Sequence, residues 1–275
     1  IPDEYIELFR QNVKIVDLRG VDDPEEIKKA IDEIEQDQKS FMEPKVFSEA
    51  VRSADVFSSE ISGMNVRGEN VKECWIKILR LIMSYGFVKG SQHGERQKEL
   101  VALTTVITNE DPENIVWFDE FTRTPEELEK YYPQVLTSKP VGIHYTYGQR
   151  LRDHKGIDQI QSIIDQLNGA LYSRRAVACT WDVESDYNSS NSPCMDIVQA
   201  LVQENRLYLT AYIRSNDMFD AWPENAFALR KLQKLIADEV KCKLGDLIII
   251  SDSAHIYERS WNKAKELVEK YGRKH

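Results

Sequence analysis

The chain has 275 residues, a net charge of −10, 41% apolar and 30% charged residues, enough for one large domain or one domain with an appendage. No apolar run is long enough to span a bilayer, and Ile1-Pro2-Asp3-Glu4 lacks the basic-then-apolar layout of a signal peptide. The acidic balance argues against non-specific nucleic-acid binding, and Cys74, Cys179, Cys194 and Cys242, without a Cys-x-x-Cys pair, read as reduced thiols of a cytoplasmic protein with no metal site.

In chain order, Val13 to Leu18 reads as a short strand. Asp23-Pro24-Glu25-Glu26 starts a helix, with an early proline, carboxylates in the first turn and a stripe of Ile27, Ala30, Ile31 and Ile34. Ser53 to Asn70 is rich in Ser, Gly and Asn and reads as a loop or linker, so residues 1–70 are taken as an N-terminal extension and 71–275 as the main domain. Val71, Cys74, Trp75, Ile78 and Ile82 share a helical face that Gly86 ends. Glu99 to Ile107 is a β-rich run, and Thr124-Pro125-Glu126-Glu127 carries the N-cap, Pro and N3 carboxylate of another helix start. A stripe of Ile157, Ile160, Ile164 and Leu167 closes near Asn168-Gly169. Three strands follow, Ala176–Trp181, Met195–Val202 and Arg206–Arg214, the last two joined by a tight turn at Glu204-Asn205. Leu229, Leu232, Ile236 and Val240 mark a helix, Asp246–Ser251 a strand and Trp261–His275 a Lys/Glu-rich helix. A mainly antiparallel sheet with helices is an α+β fold.

Ser192-Pro193-Cys194 lies at the mouth of a strand, where sites are commonly built. A lone Cys is ordinarily a small buried hydrophobe, and Arg174-Arg175 alone would be a solvated pair. Together with Arg214-Ser215 at a neighbouring strand end, they make a phosphate pocket whose positive field lowers the thiol pKa.

The series Tyr147-Gly148, Arg150, Ser173-Arg174-Arg175-Ala176-Val177, Trp181, Ser192-Pro193-Cys194, Gln199, Arg214-Ser215-Asn216-Asp217, Pro223-Glu224-Asn225 and His255-Ile256-Tyr257 resembles the thymidylate synthase family, in particular its short archaeal-type members and, more distantly, the dCMP and CMP hydroxymethylases. The resemblance covers roughly residues 145–258. It implies a mostly antiparallel mixed sheet flanked by helices, a homodimer through the sheet, and an enzyme of nucleotide biosynthesis and one-carbon metabolism. The reaction implied is transfer of a one-carbon unit from 5,10-methylene-tetrahydrofolate or methylene-tetrahydromethanopterin to C5 of a pyrimidine nucleotide, dUMP to dTMP first.

By the same resemblance Cys194 is the nucleophile that adds to C6, and Tyr147 helps remove the C5 proton through ordered water. Arg174, Arg175, Arg214 and Ser215 match phosphate ligands, the paired arginines coming from the partner subunit, and Arg96 is a further candidate from its loop. Gln199 lies under the nucleotide, Asn225 reads the pyrimidine edge, His255 and Tyr257 hold the sugar 3′-hydroxyl, and Asp217 meets the pterin. An amide at 225 suits uracil, where a carboxylate would suit cytosine. Each has a bland counterpart: a cap Asn, a turn Asp, a structural His or Tyr, a solvated Arg. The family's glutamate is assigned to Glu127, with Glu129 and Glu99 competing. Met195 stands where many members have histidine, and Ala221-Trp222-Pro223-Glu224 replaces Gly-Leu-Pro-Phe, so the wall near sugar and pterin differs. The chain also ends soon after Tyr257, where typical members continue in a tail that closes over the pterin. Two other readings stay open: a 5-hydroxymethylase acting on CMP, dCMP or UMP, and a nucleotide-binding relic without turnover.

Overall fold

The computed structural model describes residues 23–36, 62–140 and 145–271. The chain divides into two compact units, Ile1–Val56 and Phe57–His275. In the first, α1 (Pro24–Gln36) starts at its proline, and Asp23 Oδ1 accepts the Glu25 N–H at 3.0 Å. The strand expected at Val13–Leu18 lies outside the described residues.

The second unit runs β1 (Asn65–Gly68), α2 (Val71–Tyr85), β2 (Phe87–Gly90), β3 (Arg96–Ile107), α3 (Pro125–Tyr131), α4 (Pro133–Leu136), α5 (Tyr147–Arg152), α6 (Gln159–Gly169), β4 (Val177–Cys179), α7 (Val183–Asp186), β5 (Met195–Gln203), β6 (Arg206–Asp217), α8 (Trp222–Glu239), β7 (Lys243–Tyr257) and α9 (Trp261–Tyr271). Its seven-stranded mixed sheet has the order β1-β3-β7-β6-β5-β4, with β2 also paired to β3. Pairs β2–β3, β3–β7, β4–β5 and β5–β6 are antiparallel; β1–β3 and β6–β7 are parallel, the latter joined by the α8 crossover.

Within the expected linker, Asn65–Gly68 is a strand, which corrects the loop reading there. Val66 is buried in the core, and a Cβ on Gly68 would come within 2.8 Å of Cys74 Sγ, so a short polar-looking segment fits against α2. Asn70 caps that helix, its Oδ1 accepting the Glu73 N–H at 2.9 Å. Strand β4 is three residues long, shorter than expected, whereas β3, β6 and β7 outrun their apolar alternation. Glu204 and Asn205 have φ of +49° and +57°, the two left-handed residues of a type I′ hairpin turn matched to the strand twist.

Helices α2 and α8 pack on one face of the sheet, burying Trp75, Trp222 and Phe227; Trp75 donates Nε1–H to the Met218 carbonyl at 2.8 Å. The opposite face leaves Val101, Val177, Ile197 and Leu201 between 37% and 44% exposed.

Candidate active site

The thiol is placed by a bulge. Met195 of β5 faces Ile213 of β6 while Ile197 faces Tyr212, leaving Asp196 as the extra residue, two positions beyond Cys194. A bulge bends its strand and re-aims the neighbouring side chains. The Cys194 carbonyl accepts the Arg214 N–H at 2.8 Å, and the Arg214 guanidinium clamps the incoming loop, donating to the Pro193 carbonyl at 2.8 Å and to Ser192 O and Oγ, each at 3.0 Å. Its Cζ lies 5.6 Å from the centre of the Trp181 ring. The expected drop in thiol pKa is corrected here: burial pushes Cys194 up, and Arg214 opposes that shift without overcoming it. Asp196 is raised to about 6, chiefly by burial and against the pull of Arg214.

Tyr147 is the first residue of α5. Thr146 and Gln149 close a capping box around it, and Gly148 lets the helix approach Thr137, whose carbonyl oxygen would stand 2.0 Å from a Cβ there. The Tyr147 hydroxyl oxygen accepts the Met195 N–H at 3.4 Å, a long bond that sets the phenol beside Cys194. Burial raises its pKa, so at neutral pH its O–H remains available to donate. Tyr145 is raised to about 12, mainly by burial and next by Cys194.

Asn225 lies in the first turn of α8, where the cap is Ala221 and no side chain serves as one, so the cap reading of Asn225 falls away. Its Oδ1 accepts the Tyr131 hydroxyl at 2.6 Å. That phenol is also pushed far up by burial and senses Tyr147 and Glu224. Tyr131, which sequence reasoning missed, thereby links Asn225 to the Tyr147 and Cys194 region.

The ends of β6 and β7 bring Asp217 opposite His255. His255 is buried, which lowers its pKa, with its ring edge-on to Tyr257 at 4.9 Å. Asp217 Oδ1 accepts the Phe219 and Asp220 N–H groups at 3.0 and 3.2 Å, and Oδ2 meets Arg259 at 3.3 Å, so this carboxylate closes a turn as well as facing the site. Burial raises it.

The phosphate candidates are scattered. Ser215 lies next to Arg214 on β6, paired with Ser253. Arg174 and Arg175 are exposed on the approach to β4, their backbone pinned by the Gln199 Nε2 bond to the Arg174 carbonyl at 3.0 Å and by Ser173 Oγ on the Arg175 N–H at 3.2 Å. Gln199 therefore props that segment. Arg96 begins β3 and does not lie in the loop before it; Glu258 grips it in a two-point ion pair, with Nε to Oε2 at 3.0 Å, beside the Trp261 ring. Glu127 is also engaged within the chain. Its Oε2 accepts the Thr124 N–H at 2.9 Å in a capping box, and the residue is exposed, so the carboxylate serves the helix start. Glu129 is exposed too, whereas Glu99 is buried.

Near the start of α8, Trp117, Phe121, Leu128 and Phe227 line a shallow cavity of about 10 Å³ with Pro223. Its rim carries Glu224, buried and paired with Arg123 at 2.8 Å, while Trp222 points into the core and forms no wall. Among the described residues no cluster of His, Cys, Asp and Glu is gathered for a metal ion, and no helix is long and apolar enough to cross a membrane.

A family model described as Thymidylate synthase matches residues 97–275. A protein of Methanothermobacter marburgensis that bears the name "Putative thymidylate synthase" is 37% identical over 215 residues, covering 73% of this chain and 96% of the relative. Proteins of the same name from Methanosarcina barkeri and Methanosarcina mazei are 34% and 32% identical over 208 and 212 residues, each covering 75% of this chain and 95% of the relative.

Proposed function

The chain belongs to the thymidylate synthase family, and from that premise we propose that it carries a one-carbon unit from a methylene-tetrahydropterin to C5 of a pyrimidine nucleoside monophosphate, dUMP yielding dTMP. The observation that carries this reading is the thiol at a bulged strand end, clamped by Arg214 and bordered by the Tyr147 phenol.

Cys194 Sγ, once deprotonated, adds to C6, and the displaced electron pair makes C5 a carbon nucleophile. A pyrimidine whose C5 has gained the one-carbon unit then loses its C5 proton to water held by Tyr147, and elimination breaks the S–C6 bond. When bound, the reduced pterin supplies the one-carbon unit and the hydride that completes the methyl group. The aromatic lining of the cavity near the start of α8 is proposed as one wall for a flat bicyclic ring that lies over it and not inside it, since its space of about 10 Å³ is far below the ~300–1,000 Å³ of usual ligand sites. Asp217 is proposed to meet that ring.

Asn225 offers both an acceptor and a donor to the O4 and N3–H edge of uracil. Arg214 and Ser215 receive the phosphate, joined by the partner's Arg174 and Arg175 in a homodimer through the open sheet face. Support for that dimer is the set of half-exposed Val101, Ile197 and Leu201 on the sheet face away from α2 and α8. Additional cations from a partner would also move the thiol toward thiolate, which the single chain does not achieve. The polar Arg123–Glu224 rim favours a second outcome, capture of the exocyclic methylene by water to give a hydroxymethyl product.

Tritium release from 5-tritiated dUMP with methylene-tetrahydrofolate tests the reading. Release by wild type and its loss by at least ~10³-fold in Cys194→Ser is expected. No release with dUMP, UMP, dCMP or CMP and either pterin type would leave a nucleotide-binding relic. Product mass separates methyl from hydroxymethyl.

A further inference from the structure

Glu99 of β3 faces His255 of β7, and Ser253 stands two residues before that histidine. Glu99 is buried, ion-paired with Lys89 from β2, and its Oε2 accepts the Gln97 amide at 2.7 Å. The Ser253 hydroxyl lies 2.5 Å from the same Oε2. An ion-paired carboxylate accepts and does not donate, so the serine proton points at Glu99. Ser253 Oγ also lies 3.1 Å from His255 Nδ1, and with its one proton already committed it meets that nitrogen as an acceptor. The Ser253 carbonyl, 3.2 Å from the same Nδ1, is an acceptor by nature. Two acceptors converge on one ring nitrogen.

We propose that Glu99 and Ser253 are positioning residues that fix the His255 proton on Nδ1, so that Nε2 presents a lone pair and requires a hydrogen-bond donor, a hydroxyl, from the bound molecule. Identifying that donor as the 3′-hydroxyl of a nucleotide sugar rests on the proposed function; the tautomer does not. The other groups that bear on the ring are Asp217 across from it on β6, Lys89, and the Tyr257 ring. Burial disfavours the imidazolium, which would carry a proton on both nitrogens and abolish the acceptor. Deciding a tautomer through the partner of the other ring nitrogen is a general property of histidine sites.

The test uses the full chain in two measurements. Nitrogen-15 spectra of the imidazoles, with the His255 signal assigned by its loss in His255→Asn, are expected to show a protonated Nδ1 and a bare Nε2 in wild type. Ser253→Ala should mix the two tautomers, and Ser253→Thr, which keeps the hydroxyl, should restore the wild-type pattern. Calorimetric binding of dUMP should weaken about tenfold in Ser253→Ala and recover in Ser253→Thr. Binding of 2′,3′-dideoxyuridine monophosphate, which lacks the hydroxyl, should be the same in wild type and Ser253→Ala. A proton on Nε2 in wild type overturns the proposal, as does equal weakening of both nucleotides. Wild type that binds neither nucleotide would overturn the nucleotide reading, and the nitrogen spectrum alone would then decide the relay.

Discussion

Around His255 and around Arg174 the chain treats its polar groups in opposite ways. Glu99, Ser253 and His255 are enclosed and partnered within the chain, and Asn225 is likewise held by Tyr131. Arg174 and Arg175 have a pinned backbone but exposed side chains, just before the short strand β4 at the sheet edge. Neutral hydrogen-bonding groups gain selectivity from being fixed in advance, because a buried amide or imidazole left unpaired is costly. Guanidinium groups keep their charge and reach in water, and can be delivered by association. The comparison teaches that the groups proposed for the base and the hydroxyl are fixed within the chain, whereas those proposed for the phosphate are left free at its surface.

Four substitutions sharpen or break that comparison. The largest effect is expected from Arg214→Ala, which removes three hydrogen bonds to the Ser192-Pro193 loop and the charge opposing thiol burial. A loss in kcat/KM of at least about a hundredfold should follow, and Arg214→Lys should not rescue it, because a point charge cannot span the same carbonyls. Arg174→Ala should weaken dUMP affinity by some tens of times, read by calorimetry. Mixing it with Cys194→Ser should regain up to about a quarter of wild-type activity if the arginines cross between subunits, since half of a random mixture is mixed dimer with one intact site each. No recovery after exchange would place Arg174 in its own subunit's site or outside any site.

Tyr131→Phe should cost about tenfold in kcat/KM and narrow the preference for dUMP over dCMP, because the Asn225 amide loses the bond that fixes its orientation. An unchanged dUMP to dCMP ratio would refute the orienting role. The smallest effect concerns Asp196, whose pKa is raised from 3.8 to about 6 by burial. The folded chain holds this proton more tightly than the unfolded chain, so stability is fully present below the unfolded value and is lost as pH rises through the folded one. Asp196→Asn should therefore raise the thermal midpoint at about pH 7.5, and the gain should vanish as the pH falls toward about 4.

Much of this was legible where the signals are local. The period of two in Leu207, Leu209, Ala211 and Ile213, and the Glu204-Asn205 turn, gave the β5–β6 hairpin and the position of Cys194 at its mouth. The Thr124-x-x-Glu127 pattern gave the start of α3, and the same bond engages the Glu127 carboxylate there. What escaped notice depends on distant encounters: Tyr131 meets Asn225 across 94 positions, and Glu99 meets Ser253 across 154. No spacing rule reaches that far. Strand β1 was missed for a different reason, since its fit depends on a glycine whose partner, Cys74, belongs to the next helix.

The left-handed pair Glu204-Asn205 also keeps one of the sheet's closures local. A two-residue loop costs little closure entropy, and hairpins of this kind zip within microseconds, so β5 and β6 meet early. Pairing of β3 with β7 must wait for a far longer loop to close. The two parts of the candidate site thus differ in reach: the pairing that carries Cys194 joins near neighbours in sequence, whereas the pairing that brings Glu99 to His255 gathers most of the second unit.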